Sequence, residues 1–288
     1  MSLFHEGKQV STIRNYRSAI AAIHKGFPDQ SFIGNNRIIH DLLRRMLHDR
    51  PPSLRLPPSW SLTDVLTALA EPPFEPMHAS TLEHLTHKTV FLVAAASARR
   101  RCCLHALTTK EGYLRLDNDG MRLLPDPRFL AKNQSASFTP QNIFLPALGT
   151  VSTIPEDKRW CPVRAVKWYL EKTRSIRKYD QLFLLPRSPH TPASRDSISR
   201  WIKDLIRPHT SPHERPRAHD VRAHSTSRAW FAGVSLEDIM KAAAWKTPTT
   251  FVSCYLTDTL TREGAFARAA LRPAHRRDGP GPPPGALC

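Results

Sequence analysis

Between Arg50 and Trp60 the chain reads RPPSLRLPPSW, four prolines in eleven residues. Proline has no backbone N–H to donate and fixes φ, so this run can form neither a helix interior nor a central strand. It is a stiff, extended spacer. A chain interrupted in this way folds as two bodies joined by a linker over residues 51–60. With 288 residues there is enough chain for one sizeable core or two smaller ones.

The stretch before the linker has helical periodicity. In STIRNYRSAIAAIHK (11–25), Ile13, Tyr16, Ile20 and Ile23 recur at helical spacing, with Arg14, Arg17 and Lys25 among the polar positions. A second helix is predicted over 36–48, with Ile38, Ile39, Leu42, Leu43 and Leu47 inward and Arg44 and Arg45 outward. Two helices of this size cannot bury a good core alone. Residues 1–50 therefore read as a truncated α-helical segment, the tail of a larger helical domain.

After the linker, Ser61 with Asp64 caps a short helix over 62–69. Ser80 with Glu83 forms a capping box for a longer apolar helix from Thr81 to about Ala96. That helix runs out into Ser97-Ala98-Arg99-Arg100-Arg101. Three arginines leaving an apolar helix are costly unless an anion meets them, and a solvated basic turn is the competing reading. From Tyr113 to Leu148 the period becomes strand-like (YLRLD, MRLLPDP, QNIFLPAL), with a hairpin turn at Asn118-Asp119-Gly120. The second connection carries FLAKNQ, where Lys132 lies just beyond apolar residues. Most loop lysines are simply solvated.

Helices resume over 161–173, where Val163, Val166, Trp168 and Leu170 are expected to supply the contacts. An extended LFLLP (182–186) and a helix over 197–206 follow. Beyond Leu260 the composition shifts to Ala, Arg, Gly and Pro, so 261–288 reads as a disordered basic tail.

The last structured stretch, Arg217 to Leu256, reads as three consecutive helices. His219 and Arg222 share one helical face. Ser235 with Asp238 caps the next helix, and Thr247-Pro248 opens a short one that ends near Tyr255. A tyrosine on a short, separately hinged helix beside a His and Arg cluster could be a mobile nucleophile. Trp245 and Tyr255 could equally be ordinary half-buried aromatics.

Lys plus Arg exceeds Asp plus Glu by 42 − 25 = 17, with a pI near 10.2. That excess points to a polyanionic partner, nucleic acid before membrane, and to a steep salt dependence of binding. Arg14, Arg17, Arg44, Arg45, Arg99 and Arg101 are the candidate DNA contacts. The five cysteines show no CxxC and no metal-ligand spacing, which fits free thiols in a reducing compartment and no bound metal or cofactor. No secretory signal is evident, and the longest apolar run is too short to span a bilayer.

Taken in order, Arg100, Lys132, His219, Arg222, Trp245 and Tyr255 form the series R…K…HxxR…W…Y. This resembles the tyrosine recombinase family, and most closely the recombinases of DIRS-like retrotransposons. The stretches that carry the resemblance are PPSWSLTDVLTAL, ASARRRCCLHALT, FLAKNQ, HDVRAHSTSRAWFAGVSLEDIMKAAAW and TFVSCYL, and together they cover about 11–260. It implies an α+β, mostly α fold: a helical catalytic domain over 61–260 with a small antiparallel β-sheet, preceded by a truncated α-helical core-binding segment.

The activity it implies is metal-free cleavage and rejoining of double-stranded DNA in the nucleus, by a homo-oligomer, a tetramer on DNA. Tyr255 would be the nucleophile that forms a 3′-phosphotyrosyl link. Arg100 and Arg222 would hold the phosphate, Lys132 would protonate the leaving oxygen, His219 would assist proton transfer, and Trp245 would pack beneath. Arg100 is chosen by its spacing to Leu104-His105-Ala106-Leu107, with Arg99 and Arg101 as alternatives. Cys102 and Cys103 stand where relatives have a small polar residue and then an acid, so a transposon-derived DNA-binding protein without recombinase activity is the second reading. A histidine phosphodiesterase or zinc nuclease is a third class, which metal dependence would favour.

Overall fold

The computed structural model describes residues 2–52, 59–132, 134–135 and 142–256. Linker residues 53–58, Asn133 and the tail over 261–288 lie outside the described residues. The chain divides into two compact units, Met1–Leu56 and Pro57–Cys288.

The first unit has helices α1 (Ser2–His5), α2 (Val10–Ile23) and α3 (Arg37–Asp49). The Asn36 side chain caps α3 by accepting the Ile39 N–H at 3.2 Å. The core is small: Val10, Leu43 and Met46 are buried, with Phe4 and Ile13 packed against them. Arg50 fastens the end of α3 to α1. Its guanidinium donates to the Phe4 and Lys8 carbonyls at 3.1 and 3.2 Å and lies 4.3 Å from the Phe4 ring centre. The expected apolar face of α2 is largely uncovered. Tyr16, Ile20 and Ile23 are exposed, and Ile38 on α3, expected inward, is 78% exposed. The periodicity is that of a helix, but the few helices of this unit cannot cover the whole stripe.

The second unit is organised around α5 (Leu82–Ser97), buried along most of its length. It packs against α8 (Pro162–Thr173), α9 (Arg195–Ile206), α10 (Asp220–Phe231) and strand β3 (Ile143–Pro146). The expected capping box is displaced by one residue. Thr81 is the N-cap, accepting the His84 N–H at 3.2 Å, while the Ser80 hydroxyl donates to the Pro73 carbonyl at 2.9 Å. Both hydroxyls could cap, and the chain uses Ser80 to tie down the preceding loop. Short helices α4 (Leu62–Leu69) and α6 (Arg101–His105) flank α5 in sequence, and Ser61 caps α4 as expected.

Strands β1 (Leu114–Leu116), β2 (Gly120–Leu123) and β3 form an antiparallel sheet in that order, with the hairpin turn over 117–120. A Cβ on Gly120 would lie 2.3 Å from the Leu145 carbonyl oxygen, so only glycine fits against β3 here. Helix α7 (Leu148–Val151) leads into α8. On α8 the expected contact Trp168 is 38% exposed, and Tyr169 is buried instead, its hydroxyl accepting the Leu184 N–H at 2.8 Å. Two adjacent aromatics straddle the edge of the apolar arc, and the Leu184 amide selects between them. Arg228 faces solvent from α10 and donates to the Thr63 hydroxyl at 3.2 Å.

A buried charge cluster ties this body together. The Lys88 ammonium, fully buried, donates to Glu75 at 2.6 Å and to the Leu69 carbonyl at 2.7 Å. Arg164 from α8 takes both Glu75 oxygens at 2.8 and 3.1 Å. Removing the Glu75 carboxylate would leave two positive charges unpaired there, one of them the fully buried Lys88 ammonium. Helices α11 (Leu236–Ala243) and α12 (Pro248–Cys254) complete the described chain. Among the described residues no helix is long and apolar enough to cross a membrane.

Candidate active site

Helix α5 ends because Ala98 adopts a left-handed conformation, φ +49°. That turn carries Arg99, Arg100 and Arg101 off the buried helix into different surroundings. Arg99 is buried, with Nη2 donating to the Asn142 carbonyl at 3.3 Å. Arg100 is half-buried at the head of α6, and Arg101 is exposed, 2.7 Å from the Asp196 carboxylate.

Helix α10 supplies Arg222 and, immediately before its first turn, His219. Arg222 is only 2% exposed. Its guanidinium carbon lies 4.5 Å from the Trp245 ring centre and 5.0 Å from that of Tyr255, and Nη2 donates to the Ala243 carbonyl at 2.7 Å. Nε of Arg222 and Nε1 of Trp245 are buried with no hydrogen-bond partner among the described residues. Burial pulls Arg222 down to about 10, with Arg100 and Arg99 pushing the same way, so it stays charged at neutral pH.

Helix α11 ends in a second left-handed alanine, Ala244 at φ +50°. This turn brings Trp245 back under the α10 face. Pro248 stands in the first turn of α12 as expected. Thr247 makes no capping bond to the backbone; its hydroxyl lies 3.3 Å from that of Thr250. Tyr255 follows the last turn of α12. Its carbonyl accepts the Ser227 hydroxyl at 3.0 Å, and its ring lies 4.7 Å from Trp245.

The Tyr255 hydroxyl is 2.5 Å from His219 Nε2. Loss of hydration pushes His219 down to about 4, and Arg222, Arg100, Arg217 and Arg101 add to it, so the imidazole is neutral at pH 7. With its proton on Nδ1, a neutral imidazole accepts from the phenol through Nε2.

These residues border one cleft of about 580 Å³, lined by Arg99, Arg100, Arg101, Lys132, His219 and Arg222. Lys132, exposed on the β2–β3 connection, faces the same space as the arginines more than thirty residues before it and the histidine almost ninety after it. Trp245 and Tyr255 sit behind the Arg222 wall. Arg14, Arg44 and Arg45 are exposed and Arg17 is half-buried, all in the first unit.

Sequence reasoning did not single out Arg195, Lys203 and Arg217, which also line the cleft. Arg195, Ser199 and Lys203 lie four residues apart on α9, a periodicity that was visible in the sequence. No aspartate or glutamate is among the described lining residues. No group of three or more His, Cys, Asp or Glu side chains among the described residues is arranged to hold a metal ion.

No family model matches the chain, and no curated protein matches it. Solved structures do. The chain is similar to the Tn1549 transposon integrase in complex with transposon right end DNA (TM-score 0.57, 13% identity, covering 94% of this chain and 82% of that one). The XerH site-specific recombinase in a post-cleavage complex with its palindromic difH substrate gives 0.56 at 12% identity, covering 93% and 69%. XerA recombinase gives 0.51 at 16%, covering 93% and 84%. The mostly helical second unit with its three-stranded antiparallel sheet has the fold of the tyrosine recombinase catalytic domain.

Proposed function

We propose that this protein is a tyrosine recombinase that cuts and rejoins double-stranded DNA without a metal. The observation that carries the reading is the pairing of a tyrosine hydroxyl with a neutral histidine, beside a stacked, buried arginine in a carboxylate-free cationic cleft.

In the reaction, His219 Nε2 takes the phenol proton as the Tyr255 oxygen attacks the scissile phosphorus. The bond to the 5′-oxygen breaks, and Lys132 protonates that oxygen as it leaves. A 3′-phosphotyrosyl link and a free 5′-hydroxyl result, and reversal onto another 5′-end rejoins the strand. Arg100 and Arg222 neutralise the non-bridging oxygens, whose charge grows in the transition state. Of the three arginines, Arg100 is preferred by its spacing to Leu104-His105-Ala106-Leu107, with Arg99 turned to the Asn142 carbonyl and Arg101 to the Asp196 carboxylate. Arg222 arrives preorganised by two aromatic faces. The Trp245 indole fixes the guanidinium plane, and Ser227 holds the tyrosine backbone.

The finer proposals follow the sequence resemblance: a DIRS-like mobile-element origin, a catalytic unit starting near residue 61, a helical clamp using Arg14, Arg17, Arg44 and Arg45, tetrameric assembly on DNA, and action in the nucleus. The similar structures, an integrase on transposon right end DNA and a recombinase in a post-cleavage complex with its DNA substrate, support the substrate class.

The test uses nicked duplexes drawn from a sequence pool, incubated in EDTA with wild-type and Tyr255→Phe protein and then denatured. A covalent protein–DNA adduct in wild type alone is the expected result. Adduct formation by the phenylalanine variant, or only with added metal, would overturn the mechanism. Salt-sensitive binding with no adduct would move the protein to the non-cleaving DNA-binding reading, which Cys102 and Cys103 favour by standing where relatives carry an acid.

A further inference from the structure

Beside the cleft lies a second, smaller cavity of about 280 Å³, and Arg99 lines both. Its walls are mostly apolar, with Leu107, Tyr113, Leu124, Phe129 and Ile143 around it. An engineered apolar cavity of about 150 Å³ holds a benzene, so this one has room for an aromatic ring on a short chain. Besides the Cys103 thiol and the Tyr113 phenol, the polar side chains on its wall are Arg99, Asp126 and Gln134. Asp126 accepts from the Arg128 backbone N–H and Nε at 3.0 Å each, and from Arg128 Nη2 and the Lys110 ammonium at 3.2 Å. These donors fill the lone-pair capacity of a carboxylate, and the two cations take up its charge. Arg99, 6% exposed, spreads its positive charge over a fork of N–H donors, of which Nη2 donates to the Asn142 carbonyl at 3.3 Å. Gln134 accepts the Ala131 N–H through Oε1 at 3.2 Å, which makes the amide nitrogen its donor end. To a ligand, the cavity therefore offers apolar walls, donors and positive charge.

We propose that this cavity is a binding site for a small apolar carboxylic acid, an aromatic ring on a short chain, whose bound carboxylate weakens phosphate binding in the neighbouring cleft. The ring takes the apolar walls, and the carboxylate takes Arg99, whose planar fork matches two carboxylate oxygens. A neutral ligand of the same shape forfeits that charge-assisted pair. An apolar amine of the same shape would set its own positive charge against the guanidinium.

Two features connect the cavity to the cleft. The first is Arg99 itself. An anion bound to it offsets one of the positive charges that the cleft presents, and repels a phosphate that approaches from the other side. The second is the turn that carries Lys132. Ala131 and Gln134 close this turn twice, through the Gln134 N–H on the Ala131 carbonyl at 2.9 Å and through the side-chain bond already described. Both residues line the cavity, as does Phe129, while Lys132 between them lines the cleft. A ligand in the cavity therefore bears on the residues that set where the lysine stands. The inhibitory role rests on the DNA reading given above; the binding site does not.

The experiment titrates the full-length protein with hydrocinnamate, with hydrocinnamyl alcohol as its neutral counterpart and with propionate as the same charge without the ring. Methyl NMR signals of Leu107, Leu124 and Ile143 report on the cavity, and affinity for inorganic pyrophosphate or duplex DNA reports on the cleft. Hydrocinnamate should shift those methyl signals saturably with a dissociation constant of about 1 mM, and the alcohol should bind about tenfold more weakly. Pyrophosphate affinity should fall severalfold with hydrocinnamate and not with propionate at the same concentration. In Arg99→Met the acid should lose its advantage while the alcohol still binds, which shows that the cavity survives the substitution. Equal binding of acid and alcohol by the wild type, an advantage that persists in Arg99→Met, or no shift at the cavity methyl groups would overturn the proposal. So would pyrophosphate affinity indifferent to hydrocinnamate, or equally reduced by propionate, which would place the acid in the cleft. Competition with pyrophosphate from the cavity, but no binding of duplex DNA at all, would uphold the site while removing the DNA reading, so the two fail separately.

Discussion

The second unit contains two apolar cores of very different size, and the proposed nucleophile sits on the smaller. The large core gathers residues from α4, α5, the sheet, α8, α9 and the start of α10, and many of them, including Phe91, Val93, Leu145 and Tyr169, are completely buried. The small one consists of Ala98, Ala223, Ile239, Ala243, Trp245, Phe251 and Tyr255. Burial of side chains scales with stabilisation, so the large core fixes the body of α5, from whose end Arg99 and Arg100 emerge, while α11 and α12, and the Trp245 and Tyr255 faces that hold Arg222, rest on little apolar area. A phosphate-holding group benefits from rigidity. A nucleophile that must reach a phosphate, become bonded to it and later release it benefits from a helix that opens at modest cost. The absence of a Thr247 cap and the seven-residue length of α12 suit the second requirement.

Truncating each core tests this contrast most directly. Phe91→Ala should destabilise the whole unit by about 3–5 kcal/mol. Phe251→Ala should leave the unfolding of α5 and α8 nearly unchanged yet strongly reduce adduct formation and speed amide exchange in α11 and α12. Equal loss of protection throughout the unit in both variants would mean that the two cores are one.

A smaller effect is expected of Arg222→Lys, which keeps the charge but loses the flat face held between Trp245 and Tyr255. Single-turnover cleavage should fall by about 10²–10³. Wild-type rates would show that a point charge suffices.

The next effect concerns pH. Burial pushes His224 down to about 4; its ring lies 4.1 Å from Trp60, and its Nε2 is unpartnered among the described residues. The unfolded chain, with an ordinary histidine value near 6.5, binds the proton more readily. This contribution to stability is therefore complete above pH 6.5 and is lost as pH falls toward 4, up to about 3 kcal/mol. His224→Phe should flatten the fall in Tm between pH 7 and 4.5, leaving a residual slope from His219 and His87, which shift the same way. An unchanged slope would remove His224 from the account.

The smallest effect falls at the hinge itself. Ala244→Gly relieves a left-handed alanine and should change stability by no more than about 1 kcal/mol, in the stabilising direction, seen as a slightly raised denaturation midpoint. A clear loss would mean that the buried methyl group matters more than the backbone.

What the sequence shows and what it hides divide along the same physical line. Caps at Ser61 and Ser235, the 117–120 turn and the His219/Arg222 pair depend on residues three or four apart, and each is legible. The ends of α5 and α11 are not. Both stop at left-handed alanines where local rules expect glycine, and tertiary packing around Arg100 and Trp245 imposes them. The Glu75, Lys88 and Arg164 cluster is hidden for a similar reason, since its partners lie up to 89 positions apart. Lys132 was recognisable only through resemblance. As a lone loop lysine it carries no local signal, and only the folded β2–β3 connection puts it in the cleft.

The carboxylate-free cleft has one further consequence, for the empty protein. Eight arginine and lysine side chains line it with no acid among the described lining residues, and although Arg101 pairs with Asp196 on its outer side, the excess of positive charge gives the folded state a standing self-repulsion that unfolding relieves. Dissolved ions screen that repulsion as readily as they compete for a polyanion. Added salt should thus act with opposite signs on the two equilibria of this one surface, loosening the protein's hold on a phosphate backbone while making the unoccupied fold harder to melt.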